Sequence, residues 1–219
     1  MGRVRKLWIE GPQGRLEAAL RTAEAPRAAA VLAHPHPLYG GTLGNPVVFH
    51  ADRELNRAGL TTLRFNFRGV GSSEGTYDEG RGEVDDLDRA AAWLRGVAPG
   101  VPFLVVGYSF GALCALRHAG RDERTDGVIA IGLPVRLYPL DEVRTTRQPL
   151  AVVQGGADEF GSPEEVRARV AGARQPVDLR VVAGATHYFP ARAVEAAAAV
   201  VSAARDLLAR IPDGSTTRP

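Results

Sequence analysis

Cysteine is nearly missing from this chain of 219 residues: Cys114 stands alone. A single thiol cannot form an internal disulfide, so the fold needs no oxidising compartment. Lysine is as scarce. Lysine and arginine together number 27, and Lys6 is the only lysine, leaving 26 arginines. These are scattered singly and the formal net charge is only +2, so no basic stripe points to nucleic acid. We read the bias as the codon usage of a GC-rich bacterial genome rather than as a binding surface. No apolar stretch approaches the roughly 20 residues of a membrane span. The first residues, MGRVRKLWIEGPQG, hold no hydrophobic region long enough for a signal peptide. A cytoplasmic protein with neither nucleic-acid nor membrane partners is therefore expected, and its oligomeric state is left open. What remains is ordinary for a globular chain, 45% hydrophobic and 24% charged. The length suits one domain over residues 1–210, with 211–219 as a disordered tail.

Along the chain, short apolar runs alternate with helical periodicity. Residues 3–21 read as a hairpin turning at Gly11-Pro12-Gln13-Gly14. Strands are expected at 28–32, 60–65, 103–106, 127–131, 150–154 and 178–182. Asn45-Pro46 starts a helix with Val48, Ala51, Leu55 and Ala58 on one face, and Gly59 stops it. Val84, Leu87, Ala91 and Leu94 mark a second helix, and Ser162-Pro163-Glu164-Glu165 is a capping box opening another. An alanine-rich helix over about 190–209 shows apolar spacing at Val194, Ala198, Val201 and Leu208. Strand–helix alternation with short connections predicts an α/β fold: a mostly parallel sheet of about eight strands covered by helices on both faces. Sites in such sheets lie beyond the carboxyl ends of the strands.

That edge collects the chemistry. Gly107-Tyr108-Ser109-Phe110-Gly111 follows a strand and opens a helix, the setting of a nucleophile elbow. Glycines at 107 and 111 let strand and helix approach closely, and the Phe110 N–H at a helix N-terminus suits a developing oxyanion. A serine needs a base, and the base an orienting carboxylate. Asp158 and His187 follow later strands, in the order Ser109, Asp158, His187. Each has a plainer alternative: Ser109 as a turn serine at an N-cap, Asp158 as a turn cap with Glu159 its rival as the acid, His187 as an exposed loop histidine. His50 and His118 sit in helices with no partners at useful spacing and read as structural. His34-x-His36 suggests a metal pair, but zinc needs three or four ligands. We read that stretch instead as an oxyanion loop braced by His34. Pro35 and Pro37 carry no N–H, so its donor is His36 or Leu38.

The stretches HPHPLYGGTLGN, RFNFRGVGSSEG, GYSFGA, GGADEF and GATHYF together resemble the α/β-hydrolase superfamily, in particular its small, lidless, dienelactone-hydrolase-like bacterial branch. The resemblance spans roughly residues 28–205 and implies a Ser109–Asp158–His187 triad with an oxyanion hole from Phe110 and, by similarity to the family's H-G-x pattern, His36. Two departures stand out. Pro35 replaces a glycine, and Asn66 replaces an aspartate that would pair with Arg68. The dienelactone hydrolases proper carry a cysteine at the elbow, so their substrate does not transfer; Cys114, inside the helix, reads as a small buried thiol. The resemblance implies a serine hydrolase acting on a small-molecule carboxylic ester or thioester, with no metal and no organic cofactor. Acyl transfer by the same triad, or a non-catalytic binding protein on the same scaffold, are the alternatives. Residues 132–149, where this superfamily inserts its lids, are too few for a helical cap. A shallow, open site is expected, with Tyr39, Tyr108, Phe110, Leu133, Tyr138 and Tyr188 as candidates for its walls.

Overall fold

In the computed structural model, which describes residues 4–211, the N-terminal hairpin pairs β1 (Val4–Gly11) with β2 (Gly14–Arg21) across the expected turn. The last eight residues, almost all of the expected tail, lie outside the described residues. Six further strands follow: β3 (Ala28–Ala33), β4 (Leu60–Phe65), β5 (Phe103–Tyr108), β6 (Gly127–Ile131), β7 (Leu150–Gly155) and β8 (Val177–Val182). They form one sheet in the order β1-β2-β4-β3-β5-β6-β7-β8. The pairings from β4 through β8 are parallel, and the hairpin joins antiparallel through β2 and β4. From β3 the chain crosses outward to β4 and then returns to β5 on the other side of β3. The carboxyl ends of β3 and β5 therefore flank the point where the winding reverses, the usual position of a ligand crevice.

Side chains along the parallel strands alternate between two cores, because successive residues of a strand face opposite ways. Ala28, Ala30 and Leu32 of β3 join Leu104, Val106 and Tyr108 of β5 beneath α1 (Pro46–Arg57) and α6 (Ala193–Leu208). Ala29, Val31, Phe103 and Val105 face the opposite layer, with α2 (Gly82–Val97) and α3 (Phe110–Arg121). The short α4 (Glu142–Thr145) and α5 (Pro163–Val170) add Val143 and Val166 to that layer. The capping box at Ser162 and Glu165 and the Asn45 cap form as the sequence predicts.

Three expectations need correction. The last helix starts at Ala193, since Phe189 and Ala191 hold positive φ of 49° and 57° and cannot continue a right-handed helix. Its buried face is Ala193, Ala196, Ala197, Val200, Ala203, Ala204 and Leu207, while Val194 is exposed. The helix is so rich in alanine that apolar spacing does not single out one face; small side chains meet the sheet where close approach is needed. Lastly, His118 does have partners. Packing of α2 on α3 brings the Asp88 carboxylate to its Nδ1, and Thr125 Oγ1 lies 3.2 Å from its Nε2.

Arg68 also finds a carboxylate. Asp86 on α2 takes both its guanidinium, at 2.8 Å from Nη2, and its backbone N–H, at 2.9 Å. Asn66, freed from that role, accepts from the Leu43 N–H at 2.7 Å and donates to Glu17 at 2.7 Å, tying β2 to the chain beyond β3. Between β6 and β7 the only helix is the four-residue α4, so no helical cap is inserted there.

Candidate active site

The elbow is tight enough to require its glycines. A Cβ on Gly107 would lie 2.1 Å from the Gly111 carbonyl oxygen, and one on Gly111 would lie 2.5 Å from that of Ala33. With both absent, α3 starts directly against β3 and β5. Ser109 is left at φ 55° and ψ −115°, a conformation unfavourable for a residue with a Cβ, and its N–H is held by Ile131 O at 2.9 Å.

Two loops converge on the elbow that carries this serine. His187, in the turn after β8, places Nε2 2.9 Å from Ser109 Oγ. Its Nδ1 faces Asp158, which follows β7, at 2.9 Å from Oδ2 and 3.1 Å from Oδ1. All three residues are buried, and Ser109 is the most accessible at 8%. The rival carboxylate binds elsewhere on the same histidine, and Glu159 accepts from the His187 backbone N–H at 2.9 Å. Burial acts to raise the Glu159 carboxyl, but that hydrogen bond, with one from its own amide, holds it below the ordinary range.

Two supports escaped the sequence reading. Gln154, fully buried at the end of β7, donates to Asp158 Oδ2 at 2.9 Å and to Gly161 O at 2.8 Å, and accepts from Leu133 N at 2.8 Å. A glutamine inside an apolar strand was the signal that could have found it. Tyr108 donates its hydroxyl to His187 O at 2.7 Å. Tyr108, Phe110 and Leu133 are all buried, so none offers the surface to a substrate that was expected; Leu133 packs in the core and its backbone N–H holds Gln154. Tyr39 and Tyr188 are the exposed members of the expected wall, at 85% and 65%, and Tyr138 is half-buried against the core.

The loop after β3 divides its two histidines. His34 is buried, accepts from Phe67 N at 3.1 Å and donates from Nδ1 to Pro35 O at 2.6 Å. Burial pushes its pKa down to about 4, so it braces the loop as a neutral ring. The N–H groups of His36 and Phe110 have no hydrogen-bond acceptor among the described residues, whereas Leu38 N donates to His36 Nδ1 at 3.2 Å. No group of three or more histidine, cysteine, aspartate or glutamate side chains suited to a metal ion occurs among the described residues. Cys114 is fully buried, with its thiol pushed well up by burial.

A sequence profile described as an alpha/beta hydrolase domain matches residues 26–209. The chain belongs to the α/β-hydrolase family. It is an enzyme of that type. A serine hydrolase homologue from Coxiella burnetii superposes with a TM-score of 0.85 at 34% identity, covering 93% of this chain and 98% of the other. A serine hydrolase without a lid from Xanthomonas campestris gives 0.86 at 33% identity, covering 96% and 97%. An uncharacterized protein of Rickettsia prowazekii is 35% identical over 194 residues, 84% of this chain and 82% of that one.

Proposed function

We propose that this hydrolase cleaves small carboxylic esters or thioesters through an acyl-enzyme on Ser109. The observation that carries the reading is the unbroken chain from Ser109 Oγ through His187 to Asp158, built on a serine at positive φ. His187 Nε2 takes the hydroxyl proton as Oγ attacks the acyl carbon, then returns it to the departing alkoxide or thiolate. Asp158 fixes the tautomer with Nδ1–H toward itself and stabilises the imidazolium. Gln154 and the Phe160 N–H, 2.9 Å from Oδ1, hold that carboxylate in place. The N–H groups of Phe110 and His36 receive the oxyanion. Water, deprotonated by His187, attacks the acyl-enzyme and releases the acid. These steps need neither a metal nor an organic cofactor.

The rim favours small or flexible acyl groups. Leu38 and Tyr39 stand on one side of the sheet edge and Tyr188 on another, all exposed, with no cap among the described residues to enclose a long chain. A fluorophosphonate probe, which labels an activated serine, should label the protein and fail to label Ser109→Ala. A series of aryl esters should show rates falling as the acyl chain lengthens, and Ser109→Ala should lose at least ~10³-fold in kcat while remaining folded. Labelling that survives Ser109→Ala would overturn the assignment.

A further inference from the structure

The side chain of His36 and the tyrosine beyond it have no part in the steps above, yet they are built into the loop in a specific way. Pro35 and Pro37 bring no N–H, and His36 O accepts from Tyr39 N at 3.1 Å and Gly41 N at 3.0 Å. Two donors are then in question, those of His36 and Leu38. Leu38 N–H donates a hydrogen bond to His36 Nδ1 at 3.2 Å. A neutral imidazole that accepts at Nδ1 carries its own proton on Nε2, and Nε2 lies 3.2 Å from the Tyr77 hydroxyl oxygen. The ring is packed by Tyr39, Phe110 and Tyr77, with centroids 4.6, 4.9 and 5.2 Å away.

The chain just beyond Tyr77 is held in place. It lies between β4 and α2, and the buried Glu83 on the first turn of α2 accepts from Asp78 N and Gly80 N, each at 2.7 Å. Asp78 in turn accepts from Gly82 N at 3.1 Å. Burial lowers the basicity of His36 and raises the Tyr77 hydroxyl to about 12. At neutral pH the ring is therefore neutral and the hydroxyl protonated, the two states this arrangement needs.

We propose that Tyr77 and the His36 imidazole are positioning residues for the oxyanion hole: they hold the Leu38 N–H inside the loop and leave the His36 N–H as the partner of Phe110 N–H. This rests on the acyl-enzyme reading above. Without the tyrosine oxygen the ring loses its acceptor and turns more freely, Leu38 N–H loses its fixed partner, and the loop relaxes away from the geometry that meets the oxyanion.

The test is steady-state kinetics on p-nitrophenyl acetate. Tyr77→Phe keeps the ring and removes the hydroxyl; its kcat should fall about 10-fold with KM within about twofold, a fraction of the roughly 10²–10³ lost when an oxyanion donor is removed outright. His36→Ala keeps the backbone N–H but should lose more, about 10²-fold. His36→Asn should recover most of that loss, because an asparagine oxygen accepts from the N–H two residues on, as Nδ1 does here. A merely structural role would not produce a kcat-only loss with rescue by asparagine. Ser109→Ala serves as the reference. If it retains turnover, the acyl-enzyme reading fails. If it is inactive but Tyr77→Phe matches wild type, or loses only in KM, or His36→Asn is no better than His36→Ala, then the positioning role alone is wrong. Should His36→Ala not fold, the Tyr77→Phe kinetics and the His36→Asn rate still decide.

Discussion

Asp158 and Glu159 are neighbours in the chain, yet the fold gives them different atoms of the same histidine. Asp158 meets the ring at Nδ1; Glu159 meets the backbone N–H. Asp158→Asn should cost about 10⁴-fold in kcat, because an amide favours the wrong tautomer. Glu159→Gln keeps an oxygen that can accept from the His187 N–H, so its loss should stay within about 10-fold. Kinetics on one activated ester ranks the two, and the reverse order would show Glu159 to be the orienting acid. Ser109 offers a second contrast. Its φ of 55° and ψ of −115° are a strain that glycine does not feel. Ser109→Gly should therefore be more stable than Ser109→Ala by about 1–2 kcal/mol in urea denaturation, although both should be inactive. Equal stabilities would mean that the elbow stores no such strain.

At the scale of elements, the same amino acid means different things in the two helices of one layer. Gly111 opens α3 with its Cα against the carbonyls of Ala33 and His34, whose oxygens would lie 2.5 and 2.6 Å from an added Cβ. Backbone atoms cannot step aside as a flexible side chain can. Gly111→Ala should cost more than about 2 kcal/mol, at the upper part of the range for overpacking, and should displace the chain just after β3. Gly96 near the end of α2 and Gly120 near the end of α3 have nothing within 4 Å of that position. Alanine at either should stabilise by up to about 1 kcal/mol. Thermal melts of the three variants would check the sign at each site. The G-x-S-x-G spacing made the need at Gly111 legible in the sequence, because a strand, a sharp turn and a helix follow one another without a spare residue. The buried face of α6 was not legible. Alanine satisfies helix propensity on every side, and only the packing against β6, β7 and α1 selects Ala196, Val200 and Ala203 over Val194 and Ala198.

At the scale of the whole molecule, the clearest pH effect comes from His34. Its native pKa of about 4 lies below the roughly 6.5 of an unfolded histidine. Above pH 6.5 the ring is neutral in both states. As the pH falls through 6.5 the unfolded chain takes up a proton that the native protein refuses, so stability drops until about pH 4, by about 3 kcal/mol in all. Urea midpoints measured between pH 7 and 4 should fall more steeply for wild type than for His34→Gln, and parallel slopes would remove His34 from the account. Much of this architecture follows from the sequence alone. The alternation of strands and helices, the elbow and the caps at Asn45 and Ser162 are local patterns, since hydrogen bonding along the chain and side-chain periodicity dictate them; the order Ser109, Asp158, His187 was readable only by resemblance to the α/β-hydrolase order. Tertiary structure decided the rest. Tyr108 reaches the carbonyl of a residue 79 positions away, Tyr77 meets a ring 41 positions away, and Asp88 meets His118 across 30. Such pairs depend on which strands lie side by side and which helices share a face. That choice comes from burying the whole sheet at once, and no stretch of the chain carries it by itself.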